Sequence, residues 1–373
     1  MPKTFTAVST LVGTIIGAGI LGIPYVIMRS GFGIGLIIML IVGAITLTTS
    51  LYLGEIALRT KENLHLSGYA EKYLGKKAKT IMFFAFAFGI YSALTAYLVG
   101  ESESLSVLFF QTSSYSLYFG IAFWLALSYI TFFGLKALKE GENTGLIITI
   151  ILMISVIIKF WNKIEVNNLI YNNPQLFFVP FGVVLFAFLG FSVIPEIERI
   201  LGNEKKAMKK TIVLSYMATF IIYLLFTIVV LGSKGQDTPQ IATIALGKIF
   251  ILIGMLTMLT SYLALTTALV NMLHFDYKKT KTKSWLYTIL VPLIVFIILN
   301  LTKTVTFTKI LGIGGVISGG IVGTMILLMV KKAKKLGKEK PSYSIPYSSI
   351  LTWIIIAVFA LGTLLEIFSV VSS

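Results

Sequence analysis

Two stretches of this chain combine helix-breaking residues at one spacing. The first reads Gly13-Thr14-Ile15-Ile16-Gly17-Ala18-Gly19-Ile20-Leu21-Gly22-Ile23-Pro24. The second reads Phe186-Ala187-Phe188-Leu189-Gly190-Phe191-Ser192-Val193-Ile194-Pro195. In each, a proline follows a glycine by five residues: Gly19 to Pro24, and Gly190 to Pro195. Proline lacks an N–H and clashes with the preceding turn, and glycine permits non-helical angles. Together they can free peptide groups in the middle of an apolar helix. Freed amides at a half-helix N-terminus favour a carboxylate, and freed carbonyls favour a cation or an ammonium group. An amino acid zwitterion needs both.

Other chemistry is scarce. The chain has no cysteine, so thiolate nucleophiles and thiolate metal sites are excluded. It has two histidines, His65 and His274, and no HExxH zinc motif. No GxxxxGK[ST] loop is present for a nucleotide, and no catalytic set for an intramembrane enzyme. No enzymatic activity and no cofactor are expected, apart from a candidate coupling ion.

The elements that must hold these stretches follow from composition. Of 373 residues, 57% are hydrophobic and 12% charged, and the mean hydropathy is +0.92. A soluble domain is less apolar and about twice as charged. A water-soluble enzyme, a disordered tail and a nucleic-acid binder are therefore excluded, and the lipid bilayer is the expected partner. Eleven segments suit a membrane helix of about 20 apolar residues: 6–28, 33–58, 80–110, 117–136, 144–161, 176–200, 211–232, 241–275, 285–301, 306–330 and 348–369. The whole chain, 1–373, reads as one polytopic all-α membrane domain.

The net charge of +16 sets an orientation. Lys3, six basic residues in 59–79, Lys136, Lys139, five in 199–210, four in 278–283 and six in 331–340 fall on one side. Only Arg29, Lys159, Lys163, Lys234, Lys248, Lys303 and Lys309 fall on the other. The positive-inside rule then puts the N-terminus in the cytoplasm and the C-terminus outside, in the plasma membrane.

Spans 1 and 6 carry the two interrupted stretches, and an odd number of crossings makes them run in opposite directions. Spans 3 and 8 are both unusually long and hold the third place in each half. This is the pattern of an inverted repeat with broken helices: 1–162 holds spans 1–5, 176–330 holds spans 6–10, and 348–369 is an added span. The Gly312–Gly320 cluster of span 10 has no counterpart and reads as helix packing.

The Gly13–Tyr25 stretch resembles the first span of the amino acid/auxin permease family and of the related hydroxy- and aromatic-amino-acid permeases. Both belong to the amino acid–polyamine–organocation superfamily. Phe186–Phe191 resembles that superfamily's broken sixth helix. The resemblance implies a leucine-transporter-type five-plus-five fold with alternating access, spans 1, 2, 6 and 7 rocking against spans 3, 4, 8 and 9. It implies that the backbone at Gly17, Ala18, Gly19 and Ile20 meets a substrate carboxylate. Carbonyls of Phe186, Ala187 and Leu189, near Gly190, would meet its ammonium. Ile20, Leu21, Phe188 and Phe191 read as uncharged walls, which points to a neutral, apolar or aromatic amino acid. Tyr91 on span 3 is a further candidate, with Tyr97 its rival.

Two couplings stay open. The fold's shared sodium site would draw on carbonyls of Gly13, Ile16 and Thr257 and hydroxyls of Thr260 and Ser261, all hard oxygen ligands. A second sodium site is not expected, because Ile20 stands where some relatives have an asparagine. A proton would need an intramembrane ionisable group. Span 5 has none from Leu146 to Ile158. Glu55 reads as interfacial, and Glu101 and Glu103 as an outer vestibule or a solvated outer end of span 3. Glu196 and Glu198 could form a gating ion pair, and His65, His274 and Asp276 read as solvated or interfacial. The leading expectation is a sodium-coupled neutral amino acid symporter. The alternatives are a proton-coupled permease and a non-transporting receptor of the same fold. The sequence does not fix the oligomeric state.

Overall fold

The computed structural model describes residues 3–133, 150–151, 154–302 and 306–371. The described residues are overwhelmingly helical. Seven segments are long and apolar enough to cross a membrane, and the bent pair Lys3–Ile16 and Gly19–Ser30 makes an eighth. One of the seven runs from Val179 to Asp237 and comprises the broken sixth span and the seventh, Met208–Lys234. Ser116–Phe133 supplies the fourth span. The fifth, expected at 144–161, lies partly outside the described residues, and Lys136 and Lys139 lie outside them. The remaining spans are Phe32–Leu58, Lys76–Phe110, Lys248–Tyr277, Lys281–Thr302, Phe307–Leu336 and Ser349–Val371.

Spans 3 and 8 are long, as expected, at 35 and 30 residues. The predicted 241–275 segment is not one helix. Gly247, at φ +105°, turns the chain between a short helix, Ala242–Leu246, and span 8. Span 10 is interrupted too: Phe307–Gly314 and Gly320–Leu336 are joined by a π turn, Gly315–Gly319. Its glycines do pack, Gly315 against the Gly182 carbonyl and Phe186 of span 6, and Gly314 against Ser92 of span 3.

Among the described residues, segments around Arg59, Lys205 and 339–342, assigned by charge to one side, meet on one face. The Ser342 hydroxyl bonds the Lys205 carbonyl, and the Glu339 amide bonds the Arg59 carbonyl. On this basic face three expectations are overturned. Glu55 is fully buried rather than merely interfacial. It pairs with Arg59 at 2.9 Å and Lys334 at 2.6 Å, because 337–347 folds over it and adds the Ser344 hydroxyl and Ile345 amide. Asp276 is buried as well. Its carboxylate takes the His65 and Gly68 amides and the Ser67 hydroxyl, capping the helix Leu66–Leu74 from span 8. His65 is not solvated: it is fully buried against Phe86. His274 alone of this group stays near the surface, on the Lys279 carbonyl.

Candidate functional site

Span 1 bends by 47° between its two helices. The break lies at Gly17 and Ala18, with Gly17 at φ +21°. Pro24 stands inside the second helix, so glycine rather than proline opens this span. Span 6 opens after Ala187, and Phe188 to Gly190 lead into one 3-10 turn. Pro195 then begins the second helix, where its missing N–H is harmless. The two breaks touch. A Cβ on Gly19 would stand 2.6 Å from the Ala187 Cα, so the backbones meet here.

Span 7 was not expected at this site, yet it serves both breaks. The Tyr223 hydroxyl lies 2.7 Å from the Ile15 carbonyl and 2.8 Å from the Ala187 carbonyl, with Ile16 at 3.4 Å. One turn-pair earlier, the Tyr216 hydroxyl bonds the Phe188 carbonyl at 3.0 Å and Ser50 at 2.7 Å. The groups that helix breaking frees are thus met by phenol hydroxyls, as burial requires. The readable signal was two tyrosines seven residues apart on one apolar helix, since a buried tyrosine needs a partner.

From span 3, Tyr97 reaches the break and Tyr91 does not. The Tyr97 hydroxyl stands against the Ala18 amide and Ser261, and a Cβ on Gly17 would come within 2.5 Å of it. Tyr91 turns the other way and bonds the Tyr287 carbonyl at 3.1 Å. Phe188 packs against Tyr216, Phe220 and Tyr223, and Ile20 and Leu21 are fully buried. None of these three walls the adjoining cavity. That cavity is small, about 40 Å³, room for a water or two. Ile15, Phe86, Phe186, Leu189, Phe191 and Leu265 give it apolar walls, and Thr14, Tyr97, Ser192 and Ser318 add hydroxyls. Phe191 is the expected wall that lines it.

The candidate sodium oxygens are only partly assembled. The Ser261 hydroxyl reaches the Gly13 carbonyl at 2.8 Å, joining span 8 to span 1. Thr260 bonds the Thr257 carbonyl at 3.0 Å, so these two satisfy each other within their own helix. The Thr257 hydroxyl likewise turns back to Gly254, and the Ile16 carbonyl faces Tyr223.

Glu101 departs most from expectation. It is fully buried, and neither carboxylate oxygen has a hydrogen-bond partner. Span 3 continues to Phe110, so Glu101 lies well inside the helix, one turn beyond Tyr97. Glu103 lines a crevice with Gln240 and Asn300 on the face opposite the basic one. Of the gating candidates, Glu196 bonds Asn271 of span 8 and pairs with Arg199 at 3.1 Å. Arg199 also donates to the Leu64 carbonyl and stacks on Phe275. Glu198 pairs with Lys205 at the surface.

A model of the tryptophan/tyrosine permease family matches residues 1–258, which span both breaks. The chain belongs to the tryptophan/tyrosine permease family. This agrees with the broad resemblance to amino acid permeases and replaces its narrower family name. Among curated relatives of this permease, glutamine transporter 2 of Aliivibrio fischeri is 24% identical over 313 residues, 78% of this chain and 80% of that one. Tyrosine-specific transport system 1 of Haemophilus influenzae is 24% identical over 242 residues, 64% and 60% of the two chains. The crystal structure of MhsT in complex with L-phenylalanine superposes with a TM-score of 0.75 over 98% of both chains, at 13% identity. At that identity the likeness concerns the fold, a leucine-transporter-type arrangement with broken helices 1 and 6. The permease is therefore an all-helical membrane protein of an amino acid transporter family.

Proposed function

We propose that this permease is a secondary active transporter of neutral amino acids, apolar or aromatic ones above all. The observation that carries this reading is the pair of touching helix breaks beside a cavity whose lining has no charged side chain. A charged substrate side chain would find no partner there. Relatives named for glutamine and tyrosine, and a structural neighbour holding phenylalanine, support the same class. The backbone at Gly17–Ile20 takes the carboxylate, and carbonyls of Phe186, Ala187 and Leu189 take the ammonium. Because Tyr223 occupies the Ala187 carbonyl, substrate entry displaces that hydroxyl toward Ile15. Phe186, Leu189 and Phe191 must also shift, since the cavity is too small for an amino acid. Transport proceeds by alternating access, spans 1, 2, 6 and 7 moving against spans 3, 4, 8 and 9. The repeats are 1–162 and 176–330, with 348–369 outside them. The basic face is cytoplasmic, in the plasma membrane.

Two couplings have physical support. A proton is the stronger on geometry: Glu101 is a buried carboxyl without a donor, one turn from the Tyr97 that touches the span 1 break. Sodium rests on the Gly13 carbonyl and Ser261 hydroxyl, two of the five oxygens needed. The test is uptake of labelled neutral amino acids by the purified chain in liposomes. A one-unit pH gradient supports about tenfold accumulation at most for one proton per substrate. Accumulation driven by pH and lost in Glu101→Gln, with exchange retained, is the expected result. Accumulation driven only by sodium and lost in Ser261→Ala would move the assignment to the sodium site. Absence of uptake for every neutral amino acid would end the transport reading.

A further inference from the structure

Span 11, Ser349–Val371, stands outside the two repeats, yet it carries a carboxyl into the membrane. Glu366 lies near the end of this span, on the side away from the basic face. Glu366 is half-buried, and its carboxyl sits in a notch between Gly182, on the first half of span 6, and Gly312, on span 10. A Cβ on Gly182 would stand 2.8 Å from the carboxyl carbon and 2.9 Å from Oε2, and one on Gly312 would overlap Oε1. Only glycine at both positions admits it. One turn earlier on span 11, Gly362 receives the Phe181 ring of span 6, so the two helices are closely seated.

Little in this notch can hold a charge. The first half of span 6, Val179–Ala187, has no ionisable residue, and neither does the π turn Gly315–Gly319. Phe307–Gly314 carries Lys309, which has its own partner. The lysines of Gly320–Leu336 lie at its far end, on the basic face. Span 11 has no second ionisable group. Among the described residues, no donor or cation bonds Glu366. An ionised carboxylate against two glycine Cα atoms is costly, whereas a neutral carboxyl fits.

We propose that Glu366 is a proton-binding site that ties the position of the first half of span 6 to the pH on the side opposite the basic face. With that half-helix seated, the carboxyl keeps its proton. When it swings outward, the notch opens, the half-buried carboxyl becomes fully hydrated, and the proton leaves to that water. Acid on that side favours the seated arrangement and alkali the open one. This rests on the alternating-access reading, because it needs span 6 to move.

The chain has no native cysteine, so spin labels can be placed at Phe178→Cys, at the start of span 6, and Tyr118→Cys, on span 4. Both positions are exposed. The distance between them is measured by pulsed EPR in the reconstituted full chain, at about pH 5 and about pH 8, with and without phenylalanine, tyrosine and glutamine. The expected result is a longer-distance population that grows with pH, by up to about tenfold per unit. Glu366→Gln should show the same distances at both pH values, and Glu366→Asp should keep the shift. A Gln variant that shifts like the native chain would overturn the inference. So would a native pair that responds to an amino acid but not to pH. A pair that responds to neither would overturn the alternating-access reading itself.

Discussion

Tyr223 has one hydroxyl proton and two carbonyls at near-equal distance, Ile15 at 2.7 Å and Ala187 at 2.8 Å. It cannot satisfy both fully, so it holds span 1 and span 6 together while leaving one carbonyl short. A shared hydroxyl of this kind is stable when the breaks touch and can follow either half when they part. Tyr223→Phe removes the donor and leaves both carbonyls buried without one, which costs about 1–3 kcal/mol. A clear drop in the melting temperature of the purified protein is expected. Tyr216→Phe should behave similarly, since it strands the Phe188 carbonyl and Ser50. Unchanged melting in both variants would show that the two hydroxyls do not carry this load. The freed carbonyls are legible in the sequence, and their partners are not. A partner from another helix depends on which face of span 7 turns inward, and an apolar helix buried in protein and lipid shows little periodicity to tell.

At the level of helices, the interruptions were legible and their cause was half right. Gly19–Pro24 and Gly190–Pro195 share a spacing, yet Pro24 sits inside an intact helix and Pro195 starts one. What opens span 1 is Gly17, and what lets the opened ends meet is Gly19. Pro195 marks its break because the first turn of a helix tolerates proline best. Gly19→Ala is a sharp test of this division. Its Cβ would meet backbone atoms of Ala187, which cannot rotate away as a side chain can. Overpacking of this sort costs about 1–3 kcal/mol, and here it also pushes the two breaks apart. The variant should reach the membrane and lose most uptake. Gly13→Ala is the control, because nothing lies within 4 Å of the Cβ it would add. Equal uptake by both variants would mean that close contact between the breaks is not needed.

Across the whole molecule, most of the described spans and the long third and eighth ones could be read from apolar runs, because lipid imposes a length on each crossing. The basic face could not be read in the same way. Its polar loops look solvated in sequence, but Asp276 and Arg199 pull Leu64–Gly68 inward beneath the cavity, and the His65 ring ends against Phe86 beside Ser192. Burial, and secondarily the nearby Arg199 charge, push the His65 ring down to about 3 from an ordinary 6.5. Asp276, whose carboxylate takes the His65 amide, and Tyr69 are the other ionisable side chains close by, with Glu198 and Tyr73 beside Tyr69. The sign follows from linkage. Above pH 6.5 the ring is neutral whether this loop is closed or open, so acidity has no effect. Between 6.5 and about 3 the open loop binds a proton and the closed loop does not. Through this ring, closure therefore weakens by about 1.4 kcal/mol for each unit of acidification in that window. Hydrogen exchange at 64–70, corrected for intrinsic rates, should show this loop opening more often at about pH 5 than at about pH 7.5. His65→Phe keeps the ring contact with Phe86 and removes the proton site, so its exchange should not respond. The same acid-driven opening in the native chain and in His65→Phe would show that another group controls this face.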